Sequence, residues 1–378
     1  GRTWRGWTRE ERDVWARRRR PSATPEGPFG ERTGEGAPGS GDLGELGTVP
    51  AVHRGAPGLS ARPHPNRSPL APVSTRPLVH SEIPAMQAEA DAARAAGRRL
   101  ALVPTLGALH AGHLALVREA RERVGPDGHV TVSIFVNPTQ FGPGEDFAAY
   151  PRTMDADLDL LAHLADPERG DAGVNVVFAP TPETMYPFGL PPYATVSVRD
   201  LDRHLCGAHR PGHFVGVTTV VAKLFLACRP HLAVFGQKDA QQLAILRRMT
   251  DDLGFGIELV GHPIVREADG LALSSRNAYL SPEERAQAVV LSQALRAAEA
   301  SVALGARDAA AIRGAMASQF ATVPLARVQY IEIVDADTLQ PVDTLSAESP
   351  SEGRYLAALA VHFGATRLID NTTLVVGK

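Results

Sequence analysis

Apolar and polar positions change spacing several times after residue 78, and each change predicts an element. Residues 83–97 are alanine-rich at helical spacing and close on Gly97, which predicts a helix. The apolar run 99–104 predicts a buried strand, and 112–123 a second helix. Segment 129–136, His-Val-Thr-Val-Ser-Ile-Phe-Val, is dense in β-branched and aromatic residues and predicts a strand. The alternation continues with a helix over 155–165, where Leu158, Leu161 and Leu164 share a face. Then come a strand over 174–178, an apolar helix over 215–227 and a strand over 231–235. An amphipathic helix over 240–253 and a strand over 256–260 complete the series. Strands alternating with helices predict an α/β fold built on a doubly wound parallel sheet.

Beyond residue 263 the pattern changes. Ser281-Pro282-Glu283-Glu284 combines an N-cap serine, a proline at the first helical position and a glutamate at the third. It predicts a long alanine-rich helix to about residue 304, followed by a helix over 308–320. Strands are expected over 328–334, 355–363 and 366–370. The organisation expected is a Rossmann-like domain over 78–263 and a smaller α+β domain over 264–378. Residues 1–77 hold eleven prolines and twelve glycines, a composition of low complexity. We expect a disordered leader there. The alternative is a docking segment, because Trp4, Trp7 and Trp15 precede an arginine run at 17–20.

Composition narrows the function classes. A formal net charge of −3 gives no global field for nucleic acid or an anionic membrane. The strongest apolar run, 215–228, is interrupted by Lys223 and falls short of a membrane span. Cys206 and Cys228 stand outside zinc-ligand spacing, imply no disulfide scaffold and suit a reducing, cytoplasmic setting. The N-terminal residues carry charge from Arg2 onward and lack the apolar core of a secretory signal. Lysine occurs only at 223, 238 and 378, so a lysine inside a polar motif stands out.

Five polar blocks carry candidate chemistry. In the first, Val-Pro-Thr-Leu-Gly-Ala-Leu-His-Ala-Gly-His, a strand turns through Thr105, Leu106 and Gly107 into a helix start bearing His110 and His113. Such a turn presents free N–H groups and a positive dipole end to a phosphate. Histidines three apart share one helix face, so both can meet one ligand; a metal pair and plain surface histidines are the other readings. In the second block Asn137 and Gln140 follow a strand end, where open α/β sheets bind ligands, although Asn137-Pro138 also suits an ordinary turn. In the third, Arg210 can clamp an anion and His213 help hold a phosphate. The fourth, Val-Phe-Gly-Gln-Lys-Asp-Ala-Gln-Gln, places Gly236, Gln237, Lys238, Asp239 and Gln242 after a strand. Gly236 admits close backbone approach, and Lys238 is a point charge suited to phosphate oxygens or else a solvated lysine. The fifth places Ser274, Ser275 and Arg276 in sequence, a cradle for polyphosphate or a polar interdomain loop.

Taken in order over about residues 78–378, these blocks resemble the pantothenate synthetase (pantoate–β-alanine ligase) family. That pattern runs Val-Pro-Thr-Met-Gly-x-x-His-x-Gly-His, Phe-Val-Asn-Pro-x-Gln-Phe, Arg-Pro-Gly-His-Phe, Phe-Gly-Glu-Lys-Asp-x-Gln-Gln and Ser-Ser-Arg-Asn. Leu106 stands here for the usual methionine, Gln237 for the usual glutamate, and Ala240 where an aromatic is common. The first keeps volume; the second removes a charge near the nucleotide.

The resemblance implies a nucleotidyltransferase-type Rossmann-like domain, a C-terminal lid and a cytoplasmic homodimer that uses ATP and Mg²⁺. It implies attack of the (R)-pantoate carboxylate on the α-phosphate of ATP, giving pantoyl adenylate and pyrophosphate. The β-alanine amine then forms pantothenate, a coenzyme A precursor, and releases AMP. His110, His113, Lys238, Ser274, Ser275 and Arg276 would surround the phosphates, with His113 the proton donor assigned in the family. Thr105, Leu106, Gly107, Gly236, Gln237, Asp239, Val265 and Leu273 would line ATP. Gln140 and Gln242 would bind pantoate, Gln140 would also meet β-alanine, and Asn137 would assist. Mg²⁺ would rest largely on ATP oxygens and water, helped by Asp155 and Asp157. Loop 274–277 would close over the adenylate and exclude water. Two alternatives are another adenylyltransferase and an inactive nucleotide-binding relative. The first lacks the Gln140/Gln242 pair, and the second is expected to lose His113, Lys238 or Arg276.

Overall fold

The computed structural model describes residues 76–166 and 171–377. The expectations for segment 1–77 fall outside the described residues except at its last two positions. Six strands form the larger sheet: β1 (Leu78–His80), β2 (Leu100–Thr105), β3 (His129–Ile134), β4 (Val176–Phe178), β5 (Leu232–Gly236) and β6 (Glu258–His262). Their order is β1-β4-β3-β2-β5-β6, and every neighbouring pair is parallel. From β2 the chain moves outward through β3 and β4, then returns to place β5 and β6 on the other side. The topological switch point therefore lies between β2 and β5, where such sheets open a crevice at their carboxyl ends.

Among the described residues seven α-helices belong to this part: α1 (Ile83–Ala95), α2 (Ala111–Val124), α3 (Met154–Ala162), α4 (Pro182–Met185), α5 (Leu205–His209), α6 (His213–Cys228) and α7 (Ala240–Asp252). Alternate strand residues feed two cores. Leu100 and Leu102 join Met86, Val221, Phe225 and Leu246 on one face, whereas Ala101 and Val103 join Leu116, Val117 and Leu161 on the other. Burial on both faces explains why β2, β4 and β5 read as apolar runs. It also explains α6, whose Phe214, Val217, Val220, Val221, Leu224 and Phe225 are all buried.

The C-terminal part comprises α8 (Pro282–Ala288), α9 (Val290–Ala303), α10 (Ala309–Ser318) and an antiparallel sheet of β7 (Ala326–Asp335), β8 (Arg354–Phe363) and β9 (Thr366–Val375). One face of β8 (Tyr355, Ala357, Leu359, Val361) packs under α9 and α10. The other (Leu356, Ala358, Ala360) meets Leu205, Phe214 and Ile245 from α5, α6 and α7, tying the two sheets together. The fold class read from the pattern, a Rossmann-like parallel sheet plus a smaller α+β part, matches this architecture. The expected long helix is divided at Val289, while its Ser281–Glu284 capping box forms as read. β9 extends to Val375, beyond the expected 370, and β1, α4 and α5 are additional. Elements of three to five residues carry too few positions for a period to register.

Candidate active site

β2 ends at Thr105, and the chain turns back through Gly107 (φ +83°) and Ala108 (φ +50°). A left-handed pair of this kind suits glycine first. The turn is held from behind by buried Asp157, whose Oδ2 accepts the Ala108 N–H at 3.0 Å and Oδ1 the Leu109 N–H at 2.8 Å. His110 is the N-cap of α2, with extended backbone, so it lies just outside the helix rather than on its face. It meets His113 through a capping box instead. The His110 Nδ1 accepts the Gly112 N–H at 3.1 Å, and the His113 Nδ1 accepts the His110 N–H at 3.3 Å. The ring centroids are 4.1 Å apart.

This box fixes the tautomers. With each Nδ1 accepting, each neutral ring carries its proton on Nε2. Burial, aided by His110 and Lys238, pushes His113 down to about 3. Burial and Lys238 also lower His110. At neutral pH His113 is therefore a neutral hydrogen-bond donor, not an imidazolium.

The amide wall follows β3. Asn137 is fully buried, and its Oδ1 accepts from the Thr139 N–H and hydroxyl and from the Tyr186 hydroxyl. Its Nδ2 must then donate, to Gly216 O at 3.2 Å and Gln140 Oε1 at 3.2 Å. Because Gln140 accepts from Asn137, its amide NH₂ is the group left for a ligand. The His213 Nδ1–H donates to Gln140 O at 2.7 Å, and the Arg210 Nη1 donates to His213 Nε2 at 2.9 Å. Burial and Arg210 bring His213 down to about 4. The Arg210 guanidinium makes two 2.6 Å bonds to Glu145, so the expected anion clamp already grips a carboxylate of the chain.

Facing the histidines, β5 ends at Gly236 and a short turn, Gln237–Asp239, carries Lys238 into α7. Ser274, Ser275 and Arg276 close the far side. Arg276 donates through Nε and Nη2 to Asp146 at 2.9 Å each, leaving Nη1 outside that pair. Tyr150 Oη stands 3.3 Å from Ser275 Oγ.

These walls bound one cleft of about 1470 Å³, open solvent at its mouth included. Thr105, Leu106, His110 and His113 line one side, and Gly236, Lys238, Asp239 and Gln242 another. Gln140 sits at one end; Val265, Leu273, Ser274, Ser275 and Arg276 complete the enclosure. Three expected ligand contacts stand back from it. Gly107 shapes the turn, Asn137 orients Gln140, and Gln237 donates its Nε2 to Gly261 O at 3.2 Å. Neither aspartate expected near Mg²⁺ lies at the cleft: Asp155 is exposed and pairs with Arg76 at 3.6 Å, and Asp157 is spent on the turn. Among the described residues no three His, Cys, Asp or Glu side chains gather to hold a metal, so His110 and His113 form no metal pair with a third ligand. Phe135 and Phe141, the ends of the second block, also line the cleft, as do Tyr150 and His262, which stand in none of the blocks. Tyr150 and His262 are separated in sequence from the motifs they join, so only their position at strand or loop ends could have pointed to them.

The sequence pattern of the pantoate-beta-alanine ligase family matches residues 78–373. The chain belongs to the pantoate–β-alanine ligase family. It is 58% identical over 299 residues to the pantothenate synthetase of Salinibacter ruber, covering 78% of this chain and 96% of that one. The Heliobacterium modesticaldum pantothenate synthetase is 53% identical over 280 residues, 74% of this chain and 93% of the relative. Among solved structures, the Thermus thermophilus pantothenate synthetase aligns with TM-score 0.68 at 44% identity, over 78% of this chain and 98% of that one. A Francisella tularensis pantoate–β-alanine ligase, solved in complex with β,γ-ATP and β-alanine, aligns with TM-score 0.61 at 29% identity, over 78% and 97%. Two of this chain's departures from the pantoate–β-alanine ligase pattern fall outside the cleft lining. Gln237 turns toward β6, and Ala240 packs beside Leu205 and Ile245.

Proposed function

We propose that this chain joins (R)-pantoate and β-alanine at the expense of ATP, through a pantoyl adenylate. The observation that carries the reading is the convergence of His110, His113, Lys238 and Arg276 with Gln140 and Gln242 in one cleft at the switch point. Cations and N–H donors suit a polyphosphate, and paired amides suit a neutral polyol chain ending in a carboxylate.

In the first step a pantoate carboxylate oxygen bonds to the α-phosphorus and pyrophosphate leaves. This chemistry needs alignment and charge neutralisation rather than a covalent enzyme intermediate. The Nε2–H groups of His110 and His113 would donate to phosphate oxygens, and Lys238 with Arg276 would neutralise charge on the leaving group. An anion beside His113 would draw its ring toward protonation, so donor and proton-donor roles grade into each other. The Gln140 NH₂ and Gln242 would hold pantoate. In the second step the β-alanine nitrogen attacks the acyl carbon, loses a proton and expels AMP.

Mg²⁺, if bound as this chemistry favours, would arrive on ATP oxygens and neutralise them; Asp239 is the one carboxylate among the described lining residues. The part over 264–378 would serve as the lid, bringing loop 274–277 over the adenylate. We further infer a homodimer in a cytoplasmic setting; the two buried free cysteines suit the reducing compartment and do not bear on assembly. No helix among the described residues is long and apolar enough to cross a membrane.

The test is a product assay. Purified protein supplied with ATP should form AMP and pyrophosphate only when pantoate and β-alanine are both present for turnover. Pantoate alone should support ATP–pyrophosphate exchange. AMP release indifferent to pantoate would overturn the reading.

A further inference from the structure

We propose that Asn371, on the C-terminal sheet, is a positioning residue for Lys238. The proposal rests on the reading of Lys238 as a cation that meets the ATP phosphates. Asn371 lies in β9, far from every polar block in sequence, and is buried. Its Nδ2 donates to two successive carbonyls of the lysine's own turn, Gln237 O at 3.1 Å and Lys238 O at 2.8 Å. One amide nitrogen therefore grips both peptide oxygens that flank the Lys238 Cα.

The grip has rigid backing. The neighbouring Asp370 carboxylate is fully buried and takes Arg266 in a two-point pair, at 2.7 and 3.0 Å. It also accepts the Asn371 N–H at 2.8 Å. Arg266 directly follows Val265, which lines the cleft. β9 thus braces two walls from behind: the lysine turn through Asn371 and the 265–266 segment through Asp370.

The side-chain chemistry is selective. Both partners of Nδ2 are acceptors, so position 371 must donate twice; an aspartate there would set an acceptor against two acceptors. The need follows from what lysine is. Its ammonium is a point charge on a flexible four-carbon stem, so its reach is defined only as well as its Cα is held. A supporting shell that fixes a working side chain to a fraction of an ångström is what such sites require.

The experiment measures pantoate-dependent ATP–pyrophosphate exchange in the full chain for Asn371→Ala, Asn371→Asp, Asn371→Ser, Lys238→Ala and the double variant Asn371→Ala/Lys238→Ala. We expect Asn371→Ala and Asn371→Asp to lower the exchange kcat by about 10- to 100-fold, with KM for pantoate within about twofold of the parent. Asn371→Ser, which keeps one donor, should retain more exchange than either. The double variant should be no slower than Lys238→Ala alone, since the asparagine acts only through the lysine. Additive losses in the double variant, or a fall in Asn371→Ala that tracks only the fraction of folded protein, would assign Asn371 a merely structural role. Near-parental exchange in Asn371→Ala and Asn371→Asp beside a dead Lys238→Ala would also overturn the proposal. Near-parental exchange in Lys238→Ala would instead strike the reading of the lysine itself.

Discussion

The Asp157 carboxylate and the Leu109 N–H meet at 2.8 Å beneath the histidine-bearing turn, and the carboxylate's other oxygen takes the Ala108 N–H. An anion that accepts two consecutive N–H groups holds a positive-φ turn shut with no role in the chemistry above it. Asp157→Asn keeps the shape but turns one acceptor into a donor facing an N–H. We expect a loss of about 1–3 kcal/mol in urea unfolding, with ATP–pyrophosphate exchange reduced by about 10-fold or more. Parental exchange and stability in this variant would refute the anchoring role.

Gly216 tests the amide wall. A Cβ there would lie 2.2 Å from Thr139 O and 2.8 Å from the Gln140 Cα, backbone that cannot swing aside. Gly216→Ala should push the Asn137–Gln140 turn away from α6 and raise KM for pantoate by about 10-fold, with KM for ATP nearly unchanged. An equal rise for both substrates would place the damage elsewhere.

Arg276 tests the need for a guanidinium. Its Nε and Nη2 are engaged with Asp146, so a phosphate contact falls to the remaining nitrogen, a division of labour that a lysine cannot reproduce. Arg276→Lys should lower kcat/KM for ATP by about 100-fold, close to Arg276→Ala. Retention of more than half the parental value would show that charge alone suffices.

Three histidines, His129 buried and His113 and His213 half-buried, weigh on the acid stability of the protein. Burial brings His113 to about 3, and His213 and His129 to about 4. The unfolded value is about 6.5. Between these values the unfolded chain binds protons that the folded chain refuses, so stability present above pH 6.5 is lost as pH falls toward 4. Each histidine contributes a slope of at most about 1.4 kcal/mol per pH unit. His129 lies at the start of β3, away from the cleft, and its Nε2 has no partner. His129→Asn should flatten the pH dependence of Tm between 4 and 6 while leaving exchange intact; an unchanged profile would refute its share.

Deleting residues 1–75 should leave the pantoate-dependent rate of AMP formation within about twofold. A larger loss would give that segment a part in catalysis.

Much of the sheet was legible because β2, β4 and β5 are buried on both faces and read as apolar runs, while β3 is marked by its β-branched residues. The cleft was legible in part. His110, His113, Lys238 and the Ser274–Arg276 cradle stand in local motifs, and the fold brings all of them to the carboxyl end of the sheet. What escaped was every relationship that depends on strand order. Asp157 looked like a metal helper because its helix gives no sign of the turn it faces. Asn137 looked like a ligand contact, yet its four partners come from three segments. Asn371 carried no signal, since its partners lie over a hundred residues away. Even the histidine pair was read as sharing a helix face, whereas His110 is the N-cap, because an N-cap differs from a first helical residue only in backbone angle.

One feature of the sheet bears on how the cleft can be altered. The ladder between β2 and β5 is confined to Ala101↔Leu232 and Leu102↔Ala233, although both strands run on to Thr105 and Gly236. The gap is thus made by diverging main chains, and side chains only line it. Trimming those linings one by one should change what the gap favours without collapsing it, much as a socket keeps its bore when its padding is exchanged. Narrowing it would take a change in the pitch of the sheet, which no single replacement in the lining can deliver.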